Sequence, residues 1–388
     1  MRCRRCIFAG IWIFSLVGIS FYGGAISYGF FFLLTLVPVI SGVYLLAVYF
    51  GFRIYQEVDS RDMVCNEPMS YYYVLENGSF FGFSSVSVRL FSGLSFVEDI
   101  PDYAEYELLP GDRQTFHTKL ICRYKGEYEV GVKEVVITDF FRLFSFKYRI
   151  PSTIKAIVHP RTIPVSELAA LSDVTAVVQK EARTGQNEPD VVVRDYVQGD
   201  CLRRIHWQAS AREQKLKTRL QTGEEKQGIL IICDRKRYSK DIYQYLPLEN
   251  QLVETTLAIS FFLAGKGIGY QVYTGWKQQG HYTVEGMNAY EGLYSYMSTM
   301  TFDEESNMWL SVEDAAGSGF LGDCRLVILV CHEVEEELLT RIQDLADKGM
   351  MVVVYYVTDE AGEKVLRQAS ERIRIVKITT ADRLEGVL

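Results

Sequence analysis

Between Cys6 and Phe52 the sequence has no Asp, Glu, Lys, Arg or His, a charge-free run of 47 residues. A water-soluble domain rarely affords that, and the run is long enough for two membrane spans of ~20 residues with a tight turn between them. Metal- and nucleophile-bearing motifs are also missing. The five histidines (117, 159, 206, 281 and 332) form no H-E-x-x-H and no spaced cluster. Ser318 lies in AGSGF, which is not G-x-S-x-G, so no nucleophile elbow is present. Cys3 and Cys6 form a C-x-x-C, but no second pair stands at zinc-ribbon spacing, and the pair abuts an apolar span. The other six cysteines are scattered, which calls for no oxidising compartment. These absences leave hydrolytic and metalloenzyme chemistry unsupported.

What is present begins with that run. IFAGIWIFSLVGISF and FFFLLTLVPVISGVYLLAVYF fit two helices, about 7–23 and 30–51, with the turn near YGGAISYG. A cleaved signal peptide is the alternative, since Arg2, Arg4 and Arg5 make a positive leader. A second span follows at once and no clear A-x-A site separates them, which disfavours it. Arg2, Arg4, Arg5 and Arg53 flank the pair and the turn has no cation, so both ends are expected on the cytoplasmic side of the cell membrane. Setting those four arginines apart leaves 37 basic against 49 acidic residues, a net of −12 on the remaining body. A body of that sign is a poor nucleic-acid binder and is repelled by anionic lipid.

Beyond the hairpin the hydrophobic period changes twice. Residues 54–160 hold SSVSVRLFS, TFHTKLICRY, GEYEVGVKEVVIT and FSFKYRI, strands separated by turn residues, which suggests a small β-sandwich-like domain. Residues 161–227 read as a connector. Residues 228–388 alternate apolar strands (GILIICD, YQVYTG, CRLVILVC, MVVVYYVTD, IRIVKIT) with helical patterns (248–265, around NAYEGLYSYMSTM, EEELLTRIQDLADKG, EKVLRQASERI). Continuously apolar strands alternating with helices argue for a parallel sheet covered on both faces.

Ligands of open α/β sheets sit beyond the carboxyl ends of the strands, so Asp234, at the end of ILIIC, is the first candidate ligand residue. The next residues are Arg235, Lys236, Arg237 and Tyr238. A divalent cation needs several oxygen ligands, and Lys236 puts a positive charge where a hydroxyl should stand. The glycines of LAGKGIGYQ follow a helix and precede a strand, the reverse of a phosphate-binding order, and read as a helix stop.

The densest polar stretch is RDYVQGDCLRRIHWQASAR, residues 194–212, with four arginines, two aspartates, Tyr196, His206 and Trp207. VVVRDYV alternates as a strand, Gly199-Asp200 makes a turn, and Asp200 can cap the helical turn that follows. Arg203, Arg204 and Arg212 are placed to reach Asp195 or Asp200 in bidentate pairs. The acids interleaved with the cations, and the lack of a basic stripe beyond them, favour a structural framework over a protein-binding face. They argue more strongly still against nucleic acid or catalysis.

Arg194-Asp195-Tyr196, Gly199-Asp200, Arg203, Ile205, Trp207 and Ala209-Ser210-Ala211-Arg212 resemble the signature R-E-Y-x-x-G-D-x-x-R-x-I-x-W-x-x-[ST]-A-R of the bacterial "domain of unknown function 58" family. RYKGEYEVGVKEVVITDFFRLFSF resembles the family's R-G-x-Y-x-L-G-P…D-P-F-G-L-F stretch, and VHPRTIPVSEL its Y-P-R connector. The resemblance implies two membrane spans, a β-rich region and a C-terminal von Willebrand factor A-like (Rossmann-like) domain. It also implies a MoxR-type AAA+ ATPase or a transglutaminase-like membrane protein as partner. Three positions depart from the pattern. Asp195 replaces Glu, and Phe141 and Arg142 replace the Pro/Phe–Gly portion, so a different turn is expected there. D-R-K-R-Y at 234–238 replaces the D-x-S-x-S of metal-binding A domains. The expectation is a membrane-anchored, non-catalytic interaction module of the cell envelope without a cofactor. The alternatives are a metal-dependent ligand-binding domain using Asp234 and an uncharacterised cell-envelope enzyme.

Overall fold

Two glycines join the two helices of the charge-free run. The computed structural model describes residues 2–150, 153–165, 168, 191–195, 210–212, 214–221, 228–275, 280–322, 324–359, 367–370 and 372–384. Helix α1 is Arg2–Tyr22 and α2 is Ala25–Gly51. Gly23 has φ +55°, a left-handed conformation that glycine adopts at little cost, and it reverses the chain. The turn is therefore shorter than YGGAISYG, because residues 25–29 are already helical. Trp12 Nε1 donates to Thr35 Oγ1 at 3.0 Å and the Trp12 ring packs 5.6 Å from that of Phe31, holding the helices antiparallel.

Both helices are long and apolar enough to cross a membrane. At about 1.5 Å per residue, Tyr22 to Arg4 and Ala25 to Val43 each rise about 27 Å, close to the ~30 Å of a hydrocarbon core. Toward its C-terminal end α2 is clad by protein: Ser41, Tyr44 and Val48 are its buried residues. Ser41 Oγ donates to Asp139 Oδ2 at 2.9 Å, Tyr44 Oη to the Gly82 carbonyl at 3.0 Å, and Arg5 Nε to the Leu143 carbonyl at 2.6 Å.

The chain divides into two compact units, Met1–Arg161 and Thr162–Leu388. In the first, α2 runs straight into strand β1 (Phe52–Val58), followed by β2 (Asp62–Val64), β3 (Pro68–Asn77), β4 (Phe83–Leu90), β5 (Ser95–Val97) and β6 (Tyr103–Leu108). Then come β7 (Arg113–Cys122), β8 (Gly126–Val130), β9 (Val132–Thr138), β10 (Ser145–Tyr148) and β11 (Ile154–His159). They form three sheets, ordered β1-β3-β7-β5, β10-β9-β4-β6 and β2-β11-β8. Tyr71, Tyr73 and Leu75 of β3 and Val86 and Val88 of β4 are buried at period two, as a half-buried antiparallel sheet requires. Gln56 links two sheets: its Oε1 accepts from Tyr71 Oη at 3.0 Å and from Val132 N at 2.9 Å. Gly131, at φ +83°, lies so close that a Cβ would stand 2.6 Å from that same oxygen.

In the second unit, β12 (Val191–Asp195) pairs antiparallel with β13 (Lys217–Gln221). The large sheet comprises β14 (Ile229–Cys233), β15 (Tyr270–Tyr273), β16 (His281–Val284), β17 (Leu326–Cys331), β18 (Met351–Thr358), β19 (Arg367–Ser370) and β20 (Ile373–Thr379). Its order is β16-β15-β14-β17-β18-β20-β19. The five central strands are parallel, and β16 and β19 close the edges antiparallel. Every residue of β14 and β17 is buried, as strands covered on both faces must be.

Helices α3 (Ile242–Gly265) and α4 (Met287–Thr299) share one core with one face of the sheet. Helices α5 (Met308–Gly317) and α6 (Glu336–Asp347) share the other. Asp241 Oδ1 accepts from Tyr243 N at 3.1 Å and caps α3, which starts six residues before the apolar run at 248 and carries Pro247 inside it. Ile163, Val165 and Leu168 join the α3 core, so the start of the connector is packed rather than loose. The expected helix EKVLRQASERI is corrected in its described part: residues 367–370 form strand β19, bulged against β20. Helix-forming residues there take the strand state because the edge of β20 offers unpaired backbone groups.

Candidate functional site

In open α/β sheets a crevice forms where connections from neighbouring strands leave in opposite directions. Strand β14 connects outward to β15 on one side, and the chain returns to β17 on its other side. That switch falls between β14 and β17, and the first residues beyond each are Asp234 and His332.

Asp234 is buried, and its backbone N donates to the Val330 carbonyl at 2.9 Å. Its Oδ1 accepts from Lys236 N at 3.0 Å and so bends the chain back over the strand end. His332 is also buried, with Nδ1 3.1 Å from Asp234 Oδ2 and Nε2 3.9 Å from Glu333 Oε1. Neither ring nitrogen is aligned for a hydrogen bond. The Tyr238 ring lies 5.4 Å from the imidazole and roofs it.

The three cations after Asp234 go to three different partners. Arg235 donates through Nε and Nη2 to the Thr301 carbonyl, at 3.1 and 2.8 Å. Lys236 Nζ donates to Glu333 Oε2 at 2.5 Å and Glu335 Oε1 at 2.9 Å. Arg237 makes a bidentate pair with the buried Glu249, at 2.7 and 3.2 Å, and covers the Tyr245 ring at 4.2 Å. Burial pulls the Lys236 pKa down, but the hydrogen bonds it donates to Glu333 and Glu335 outweigh it, and the ammonium is held above the usual lysine value.

The cleft left beside Asp234 and Lys236, walled by Asn307, Trp309 and Leu338, has about 10 Å³, room for one water. The donor set does not fit a divalent cation, because the Lys236 ammonium sits among the carboxylates where the ion would be. Among the described residues no three His, Cys, Asp or Glu side chains converge on a metal position. Asp234 was legible in the sequence. His332, Glu333, Glu335 and Glu249 were not assigned to it, although His332 and Glu333 directly follow the apolar run LVILVC.

The stretch 194–212 is described at its two ends. Arg194 and Asp195 stand opposite Thr218 and Lys217 in the β12–β13 ladder. Ser210 is buried, and its Oγ accepts from Lys217 N at 2.8 Å, so both ends of the stretch meet on one residue of β13. Ala211 and Arg212 are exposed. Tyr196, Gly199, Asp200, Arg203, Ile205 and Trp207 lie outside the described residues. Arg142 has φ +55°, the left-handed backbone that ordinarily favours glycine. Among the described cysteines only Cys6 is exposed, and burial pushes the Cys122 thiol up to about 11.

Two membrane-length helices, a β-rich region and an α/β unit define the class of chain. Residues 192–279 match the family model described as "Protein of unknown function DUF58", which supports a DUF58 family protein. That range holds the polar stretch, β14, Asp234 and α3. No curated protein matches the chain. Among solved structures, trypsin-activated alpha-2-macroglobulin from Escherichia coli matches at 18% identity and TM-score 0.21, over 30% of this chain and 9% of that one. Proximal thread matrix protein 1 from the mussel byssus matches at 14% identity and TM-score 0.28, over 40% and 43%. The CARDB domain of a Pyrococcus furiosus protein matches at 13% identity and TM-score 0.19, over 28% and 93%. The chain spans less than half of the macroglobulin and of the byssus protein.

Proposed function

We propose that the chain is a membrane-anchored, non-catalytic interaction scaffold, with its folded body on the cytoplasmic side of the bacterial cell membrane. Residues 228–388 would act as a von Willebrand factor A-like domain, and the partner would be a MoxR-type AAA+ ATPase or a transglutaminase-like membrane protein. The sheet order supports the A-like reading: the first strand, β14, is central, and an antiparallel strand, β16, lies at the edge.

The observation that carries the proposal is the plugged crevice. At the switch point, where such sheets hold substrates or metals, Lys236 is clamped between Glu333 and Glu335 and about 10 Å³ is left. A substrate pocket typically needs about 300 Å³ or more. What remains for recognition is the surface. The partner class and the side of the membrane come from the family resemblance and from the arginines flanking the hairpin.

The test is affinity capture of the intact protein from its own membranes, with and without ATP. Recovery of an AAA+ ATPase or a transglutaminase-like protein is expected, and it should persist in a Lys236→Met variant. Turnover of a small substrate by the purified chain, abolished by one substitution at Asp234 or His332, would refute the scaffold and favour an enzyme.

A further inference from the structure

A roomy polar cavity of about 350 Å³ lies within the first unit. Its floor is the outward face of β4, β6 and β9. The inward face carries Val86, Val88 and Val135, and the outward face presents the hydroxyls of Ser85, Ser87 and Thr138, all buried. Three arginines line it: Arg4 from the first turns of α1, Arg89 from β4, and Arg142 from the turn between β9 and β10. Glu105 is the one acid in the lining, so three positive charges face one negative.

The groups are organised. Ser85 Oγ and Arg142 Nη2 both donate to Glu105 Oε1, at 2.5 and 3.3 Å. Ser87 Oγ and Tyr103 Oη lie 3.0 Å apart, and Arg89 covers the Tyr103 ring at 5.6 Å. Among the described residues Arg4 and Arg89 have no carboxylate within ion-pair distance. Arg142 is held in the left-handed region, φ +55°, where a residue with a Cβ is strained. A surplus of guanidinium groups over a hydroxylated floor is a site for phosphate oxygens.

Its height along the hairpin names the source. The Trp12–Thr35 contact sets Arg4 and Arg5 level with residues 42–43 of α2, about 27 Å from the glycine turn and so at the end of the hydrocarbon core. Phe140, Phe141 and Phe144 are exposed in the turn that carries Arg142. The Phe140 ring packs 4.7 Å from that of Tyr44. Phe80 and Phe81 are exposed in the loop whose Gly82 carbonyl Tyr44 binds. Exposed apolar rings beside a basic cavity suit burial at the headgroup–acyl boundary, as on interfacial helices that bury Phe and Leu.

We propose that the Arg4–Arg89–Arg142 cavity binds the phosphate headgroup of an anionic phospholipid in the leaflet where both chain ends of the hairpin emerge. The site gives an acidic body, otherwise repelled by such lipid, one local point of attraction. The inference rests on the membrane anchoring of the scaffold reading and on nothing about its partner.

The test uses the full chain, extracted in detergent and examined by native mass spectrometry with phosphatidic acid, phosphatidylglycerol or phosphatidylcholine added. Anionic lipid should be retained in preference to phosphatidylcholine. Arg4→Gln combined with Arg89→Gln should weaken it on the order of twentyfold, at roughly fivefold per arginine. Arg53→Gln, which removes a single charge outside the cavity, should leave it unchanged. Anionic lipid retained by the double variant, or lost equally in Arg53→Gln, would overturn the site. Inorganic phosphate that binds alone and displaces the lipid would overturn the lipid as ligand. Alkaline extraction of native membranes reads the anchoring separately: a chain released as a soluble protein sinks the anchor, whereas a retained chain without lipid preference sinks only the cavity.

Discussion

Replacing Lys236 by Ser would restore a hydroxyl two residues after Asp234 and remove the internal cation. The wild-type ammonium makes two contacts, at 2.5 and 2.9 Å. Its own side chain is 21% exposed, but those of Glu333 and Glu335 are 41% and 38% exposed, so solvent screens the pairs. An exposed pair is worth about 0–1 kcal/mol and a broken buried one about 3–5 kcal/mol, which places the loss near 2 kcal/mol. For a unit of this size that is a fall of about 4–8 °C in midpoint. The variant also leaves Glu333 and Glu335 without the ammonium that bridges them, so magnesium or manganese in its place should stabilise it. A site occupied at about a hundred times its Kd adds about 2.7 kcal/mol, enough to recover the loss. Calorimetry of the full chain in detergent, with and without metal, reads both effects. The wild type should not respond to metal. A saturable metal shift in the wild type, or a Lys236→Ser midpoint equal to wild type, would show that Lys236 does not stand in for a cation.

Four further outcomes can be checked. Burial holds the His281 pKa below its ordinary 6.5, so as pH falls through that value the unfolded chain takes up the proton first and folding stability drops. His281→Gln should flatten this dependence, and a melting curve equally pH-sensitive in the variant would count against it. Ser210→Ala removes the hydroxyl that accepts from Lys217 N and should cost about 1–2 kcal/mol in a denaturant titration, whereas no change would remove Ser210 from the framework. Arg142→Gly exchanges an exposed ion pair worth about 0–1 kcal/mol for relief of about 1–2 kcal/mol of left-handed strain, so thermal stability should hold or rise slightly. A clear fall would mean the guanidinium is needed for folding. A cysteine placed at Ser27 should be labelled from outside intact cells, and labelling of the β-rich region instead would invert the topology.

The parts of this fold visible in the sequence are those where one physical constraint dominates. The hairpin shows because no charge survives between Cys6 and Phe52, and the central strands show because ILIIC and LVILVC are buried on both faces. The start of α3 hides behind Pro247, since the capping residue Asp241 lies on the far side of it. Strand β19 hides because RQAS has no strand period and is extended only by lying against β20. Asp234 was visible because the end of a parallel strand is a fixed address. Its surroundings were not: Lys236 meets Glu333 and Glu335 across 97 and 99 residues, and only the β14–β17 pairing brings them together. The stretch 194–212 announced itself by composition, but the residue that joins its two ends, Lys217, lies beyond it.

The length of α2 carries a mechanical consequence. The helix runs without a break to Gly51 and becomes β1 at Phe52 with no linker residue between. Along its last three turns it is pinned by Ser41 to Asp139 and by Tyr44 to Gly82. A hinge needs a few backbone torsions that can turn freely, and this junction has none to spare. The β-rich body is thus joined to the helix pair as a blade to its tang, so a tilt or rotation of that pair in the proposed bilayer moves the body with it. Anything that grips the body from the aqueous side pulls directly on the two spans.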